Sequence, residues 1–141
     1  MAIKQLSVFL ENRSGRLAEM TEILGNANIN LAALSIAETS DFGIIRMIVS
    51  NPEEGLKILK ENNFSVSLTE VICLSTPNKP GSLAQTLSVL SNHNISIEYM
   101  YAFSLGEEAY VVMKTDDMKQ TVDILNERNM KLLSSEKLKN I

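Results

Sequence analysis

Leu6, Val8 and Leu10 alternate with Ser7 and Phe9, the period of a half-buried strand. Leu17, Met20, Leu24 and Ala27 then recur at the spacing of one helical face. Asn-rich Gly25-Asn26-Ala27-Asn28 predicts the stop, because Gly and Asn accept the left-handed conformation. A strand begins at Ile29, and the change of phase from Ile29, Leu31 and Ala33 to Leu34 and Ile36 predicts a bulge. Turn residues come next at Thr39-Ser40-Asp41-Phe42-Gly43. Ile44–Val49 is apolar at nearly every position, as in a strand covered on both faces. Asn51, Pro52 and Glu54 stand at N-cap, N1 and N3 of a second helix whose buried stripe is Leu56, Ile58 and Leu59. A strand around Ser65–Leu68 closes the pattern. It continues through Thr69-Glu70 into the second half of the chain without a flexible linker, so the two halves are expected to be held rigidly together.

The same pattern then repeats. At an offset of 66 positions, Glu11–Leu31 aligned with Pro77–Ile97 shares eight identities: Asn12/Asn78, Gly15/Gly81, Leu17/Leu83, Ala18/Ala84, Leu24/Leu90, Asn26/Asn92, Asn28/Asn94 and Ile29/Ile95. Chance gives roughly one or two. The register returns at Met47/Met113, Ile58/Ile124, Leu59/Leu125, Glu61/Glu127 and Asn63/Asn129. In the second copy Ile72 and Leu74 begin the strand. Leu83, Leu87 and Leu90 are the helical stripe, ended at Ser91-Asn92-His93-Asn94. Ile95, Ile97, Tyr99, Tyr101 and Phe103 keep period two. A turn at Leu105–Glu108, the apolar run Ala109–Lys114, a helix from Asp117 with Val122, Ile124 and Leu125, and a strand at Lys131–Leu133 complete it. Each copy reads β-α-β-β-α-β, the ferredoxin-like arrangement. The fold class is therefore α+β, with two such units spanning 1–69 and 70–141. Each is predicted to be a four-stranded antiparallel sheet with both helices on one face. A domain of this length is marginal alone and exposes strand edges, so the units are expected to pair as an intramolecular pseudo-dimer.

Composition narrows the functions. A net charge of −4 and a pI near 5.0, with scattered basic residues, argue against nucleic acid as a partner. Lys131–Lys139 is broken by leucines and Glu136 and reads as a polar C-terminal strand and tail. The row Tyr99, Tyr101, Phe103 has no basic neighbours, so core or interface packing is favoured over RNA stacking. No apolar run approaches the roughly 18 residues of a membrane span, and the N-terminus has no signal-peptide h-region. A cytosolic location is expected, and the single cysteine agrees.

Catalytic constellations fail one by one. His93 stands at the polar end of a helix. Cys73 alternates with Ile72 and Leu74 as a structural thiol without a basic partner. No His/Cys pair has metal-ligand spacing, no phosphate-cradling Gly motif occurs, and Glu53-Glu54 suits a helix start. Neither a metal nor a cofactor is expected, and the chain is read as no enzyme. Arg46, inside an apolar strand, can reach the surface by its stem or pair with a carboxylate.

The repeated strand-to-helix corner has the physics of a binding site. A helix N-terminus leaves N–H groups unsatisfied and carries partial positive charge, so it can hold a carboxylate. Gly15 and Gly81 remove a side chain where a ligand would approach. Asn12 and Asn78 offer both donor and acceptor. Ser14 can cap the first helix, and Pro80 sits in the first turn of the other. A tight turn plus a helix cap is the bland alternative.

Asn12-Arg13-Ser14-Gly15-x-Leu17 with Ala27-Asn28-Ile29-Asn30 resembles an ACT domain. Asn78-Lys79-Pro80-Gly81-x-Leu83 with His93-Asn94-Ile95-Ser96 resembles a second. The resemblance covers about Ala2 to Leu133. It implies ferredoxin-like regulatory modules that bind amino acids where two such domains meet and control enzymes of amino-acid metabolism. It implies a ligand site formed by Asn12, Arg13, Ser14, Gly15 and Leu17, faced by Asn30 and Leu31 of a neighbouring domain. In the second unit the matches are Asn78, Lys79, Pro80, Gly81, Leu83 and Ser96. Ser96 and Pro80 depart from Asn30 and Ser14, so the two sites can differ. With no catalytic domain fused, the partner would be a free amino acid and a separate enzyme or regulator, with the chain a homo-oligomer, a dimer. The alternative is a ligand-free interaction or oligomerisation module.

Overall fold

The computed structural model of the chain describes residues 3–11, 13–38 and 41–139. They form two compact units. The N-terminal unit contains Lys4–Thr69 together with Leu138, and the C-terminal unit contains Glu70–Lys137 together with Ile3. The N-terminal unit runs β1 (Ile3–Glu11), α1 (Arg16–Asn26), β2 (Leu31–Glu38), β3 (Phe42–Val49), α2 (Pro52–Glu61) and the first part of β4 (Ser65–Pro77). The C-terminal unit continues from β4 through α3 (Ser82–Asn92), β5 (Ile97–Leu105), β6 (Glu108–Thr115), α4 (Met118–Glu127), β7 (Lys131–Leu132) and α5 (Ser135–Lys139). Strand β4 is continuous, so the chain passes from one unit to the other inside a strand.

Strand order is β2-β3-β1-β4 in the first unit and β5-β6-β4-β7 in the second. β1 with β3, β2 with β3, β4 with β6 and β5 with β6 are antiparallel. Both units are thus β-α-β-β-α-β, as the hydrophobic pattern requires. Leu6, Val8 and Leu10 of β1 meet Ile45, Met47 and Val49 of β3 beneath Met20 and Leu24 of α1 and Leu59 of α2. Ile72, Leu74, Val111, Met113, Leu90, Ile124 and Leu125 form the second core. Each such side chain contributes about 1.5–3 kcal/mol on burial.

The helix ends explain four asparagines. Asn28, Asn63, Asn94 and Asn129 all have φ between 56° and 66°. In each case the following N–H donates to the carbonyl five residues back, Ile29 to Leu24, Phe64 to Leu59, Ile95 to Leu90 and Met130 to Leu125, at 2.9 or 3.0 Å. This is the Schellman ending, repeated at all four helices of the βαββαβ units. Their opposite ends follow two schemes. Asn51 and Asp117 accept from the Glu54 and Gln120 N–H groups, as the sequence predicts for α2 and α4. Helices α1 and α3 start differently, and that start shapes the candidate site.

Four expectations need correction. Leu17 and Leu83 lie off the core, at 37% and 36% exposure, and Thr86 rather than Leu87 occupies the buried position of α3. The bulge expected in β2 is present between Leu31 and Ala33, and a second lies between Ile97 and Tyr99, where the sequence pattern predicts unbroken period two. It leaves Ile97 and Met100 against the helices, with Tyr101 and Phe103 on the strand positions opposite Val112 and Tyr110. Residues 133–139 are no plain tail: Ser134 Oγ accepts the Lys137 N–H at 3.3 Å at the start of α5, and Leu138 is buried. The expected turn at residues 39–43 falls partly on Thr39 and Ser40, which lie outside the described residues.

Candidate functional site

Each β-α corner is a type II turn. The Arg16 N–H donates to the Arg13 carbonyl at 3.4 Å, and that of Ser82 to the Lys79 carbonyl at 3.2 Å. Gly15 has φ 90° and ψ −17°, and Gly81 has φ 88° and ψ −12°, the third position of such a turn. A Cβ on either glycine would meet nothing within 4 Å. The backbone angle demands glycine, and the space beside it stays open. Gly15 and Gly81 are also the N-cap residues, with no side-chain cap. Ser14 therefore does not cap α1, and Pro80 precedes α3 instead of entering its first turn. Both occupy the second position of the turn, which the fixed φ of proline suits.

The first helical bonds run from Glu19 to Gly15 and from Gln85 to Gly81, at 2.9 and 3.0 Å. The N–H groups of Leu17, Ala18, Leu83 and Ala84 consequently lack helical acceptors, and the positive end of the dipole faces the corner. Arg13, Ser14, Gly15 and Leu17 are exposed, as are Asn78, Lys79, Pro80, Gly81 and Leu83. Asn12 lies outside the described residues. Asn78 is tied to the β5–β6 turn: its N–H donates to the Glu107 carbonyl at 2.7 Å and its Nδ2 to that of Gly106 at 3.3 Å. Asn78, Lys79, Gly106 and Glu107 line an open depression of about 450 Å³.

Asn30 and Ser96 lie elsewhere in their units. Asn30 is latched to Ser50, whose Oγ accepts its N–H at 3.0 Å, and Ser96 to Asp116, whose Oδ1 accepts its N–H at 3.0 Å. Leu31 pairs with Val49, whereas Glu11 pairs with Phe42 at the other end of β3. Within a unit, the corner and the Asn30 or Ser96 end are on opposite ends of the sheet. A single unit therefore does not bring both into one site.

The C-terminal unit also has a half-open cavity that sequence reasoning missed. A cavity of about 330 Å³ opens beside the start of α3, between the end of β4 and the α4–β7 turn. Thr76 and Thr86, 7% and 3% exposed, line it with Ser75, Ser82, Glu108 and Lys131. Ser75 Oγ donates to the Glu108 carboxylate. The signal lay in the differences between the repeats, where Leu10 and Met20 of the first core become Thr76 and Thr86.

The remaining reactive residues have structural surroundings. Burial pushes the Cys73 thiol up to about 12, so it stays protonated and non-nucleophilic. His93 is exposed at the end of α3, with Nδ1 2.9 Å from the Val89 carbonyl. Arg46 is half-buried, opposite Ser7 and Ser35 on the neighbouring strands. Among the described residues no group of three or more His, Cys, Asp or Glu is placed to hold a metal ion, and no helix is long and apolar enough to cross a membrane.

A family model described as an ACT domain pair matches residues 1–141. The fold is similar to that of a Bacteroides thetaiotaomicron protein solved by crystallography, at 48% identity and a TM-score of 0.97, covering 100% of this chain and 98% of that one. It is also similar to the ligand-free regulatory subunit of aspartate kinase from Thermus thermophilus, at 12% identity and a TM-score of 0.64, with 88% and 91% covered. Aspartate kinase from Synechocystis matches at 17% identity and a TM-score of 0.63, over 98% of this chain and 26% of that one. At these last two identities the likeness is one of fold. No curated protein matches the chain.

Proposed function

Since the chain belongs to the family of ACT domain pairs, we propose that it is a non-catalytic regulatory protein that binds a small molecule, an amino acid, and modulates a separate enzyme or regulator of amino-acid metabolism in the cytoplasm. One observation carries this reading. Both units present an exposed Gly turn at an uncapped helix N-terminus, with N–H donors free to take a carboxylate. The ligand contacts are Asn12, Arg13, Ser14, Gly15 and Leu17 in one corner and Asn78, Lys79, Pro80, Gly81 and Leu83 in the other. Asn30, Leu31 and Ser96 face such corners from another ACT domain, and a dimer of the chain can supply one. The fold shared with an aspartate kinase regulatory subunit supports a regulatory use. Ligand shifts an equilibrium only by its differential affinity for two states.

Thermal unfolding in the presence of each amino acid tests the reading. Free ligand at 100 times its Kd adds roughly 2.7 kcal/mol. Asn78→Ala should weaken that binding at least tenfold with little change in the unliganded melting temperature, since Asn78 is exposed. Undiminished affinity would remove this corner from the site. A second reading, the ligand-free interaction module, draws support from Phe9 and Phe42, exposed on their sheet and stacked at 4.8 Å. It gives no shift with any amino acid.

A further inference from the structure

The two units differ in side chains where α1 and α3 begin. In the N-terminal unit the Arg16 side chain turns back over the sheet end. Its Cζ lies 4.2 Å from the centre of the Phe64 ring, its Nη1 donates to Glu19 at 3.0 Å, and the side chain is only 15% exposed. Leu10 and Met20 are buried beside it in the core. At the corresponding positions, 66 residues on, the C-terminal unit has Ser82, Met130, Gln85, Thr76 and Thr86. Arg16, Leu10 and Met20 give way to smaller polar residues, Ser82, Thr76 and Thr86, which line the cavity of about 330 Å³. Phe9 and Phe42 correspondingly become Ser75 and Glu108, an aromatic stack exchanged for a hydrogen bond to a carboxylate.

We propose that this cavity is a binding site for one small zwitterionic molecule of the α-amino-acid class per chain, present in the C-terminal unit and filled by Arg16 in the N-terminal one. The proposal rests on the amino-acid reading above and places the ligand beneath the second corner. The cavity shares Pro77 and Glu108 with the depression at Asn78 and Lys79. Its size falls at the small end of ligand pockets, about 300–1,000 Å³. Its lining carries both signs of charge. Glu108 suits an ammonium, while Lys131 suits a carboxylate. Thr76, Thr86 and Ser82 supply neutral partners, and Leu74 and Met130 give an apolar wall for a side chain. Thr86 Oγ1 donates to the Ser82 carbonyl at 3.4 Å, and its oxygen keeps lone pairs that can accept from a polar occupant.

The test uses the full chain and calorimetric titration with the twenty amino acids, one at a time. Ser82→Arg reinstates the residue of the first unit and should fill the cavity. Lys131→Ala removes an exposed cation with no expected effect on folding. With the amino acid that binds the wild type, each variant should lose at least tenfold in affinity, and the wild type should bind one molecule per chain. If the wild type binds but both folded variants keep its affinity, or if two molecules bind per chain, the cavity assignment is overturned while the amino-acid reading stands. If no amino acid binds the wild type, both fall.

Discussion

Replacing Arg16 separates the packing of its stem from the effect of its charge. Arg16→Ala removes two buried methylenes, worth about 1.6 kcal/mol. It removes a guanidinium 4.2 Å from the Phe64 ring, worth about 0.5–2 kcal/mol. It also removes an ion pair to the half-exposed Glu19, worth about 0–1 kcal/mol. Against these stands Arg16 Nε, which is buried with no hydrogen-bond partner, a defect costing about 1–3 kcal/mol. The net expectation is a loss of about 1–2 kcal/mol. Arg16→Met keeps the stem, gains a sulfur–aromatic contact of about 0.3–1.5 kcal/mol and deletes the orphaned donor. It should be neutral or stabilising by up to about 1 kcal/mol. Urea unfolding of the full chain, read by circular dichroism, gives both differences from the midpoint and slope. If Met costs as much as Ala, the charge and not the filling holds Arg16 in place, and the contrast drawn between the units loses its physical basis.

Ser14→Pro copies Pro80 into the equivalent turn and should stabilise by about 0.4–1 kcal/mol, measured as a raised urea midpoint; a loss would show that the two turns differ. Asn63→Ala removes the amide that lets a residue with a β-carbon tolerate φ 66° and should cost about 1 kcal/mol, while Asn63→Gly should cost nothing measurable by the same assay. The Cys73 thiol, normally near 9.0, is pushed to about 12 by burial. The unfolded thiol ionises first, so this stability is complete below about pH 9 and is lost as pH rises toward 12. Relative to Cys73→Ala, the wild type should lose about 1.4 kcal/mol on reaching pH 10, and in the native state at pH 8 the thiol should resist a thiol-specific reagent.

Much of the fold was legible because local and global signals agree. The caps at Asn51 and Asp117 and the change of phase from Ala33 to Leu34 each have one local cause; the structure bears out the caps and places the β2 bulge between Leu31 and Ala33. The ACT resemblance rested on the duplicated corner, and the family match covers the whole chain. What escaped was set by geometry that residue types do not display. A type II turn moved the N-cap from Ser14 to Gly15, which places Leu17 off the core. The bulge after Ile97 was hidden because apolar side chains stand on both faces of β5. The cavity depends on residues that differ between the repeats, Arg16 against Ser82 and Met20 against Thr86, whereas the identities drew the eye to the corner itself. Asn30 and Ser96 gained their role from the family alone, and their own units hold them at the far end of the sheet from the corner.

The most direct measurement is calorimetric titration of the intact chain with each of the twenty amino acids. An amino-acid sensor gives saturable heat with one amino acid or a few related ones. No heat with any of them at millimolar concentration would contradict that function and leave the exposed Phe9–Phe42 face as the place to seek a protein partner.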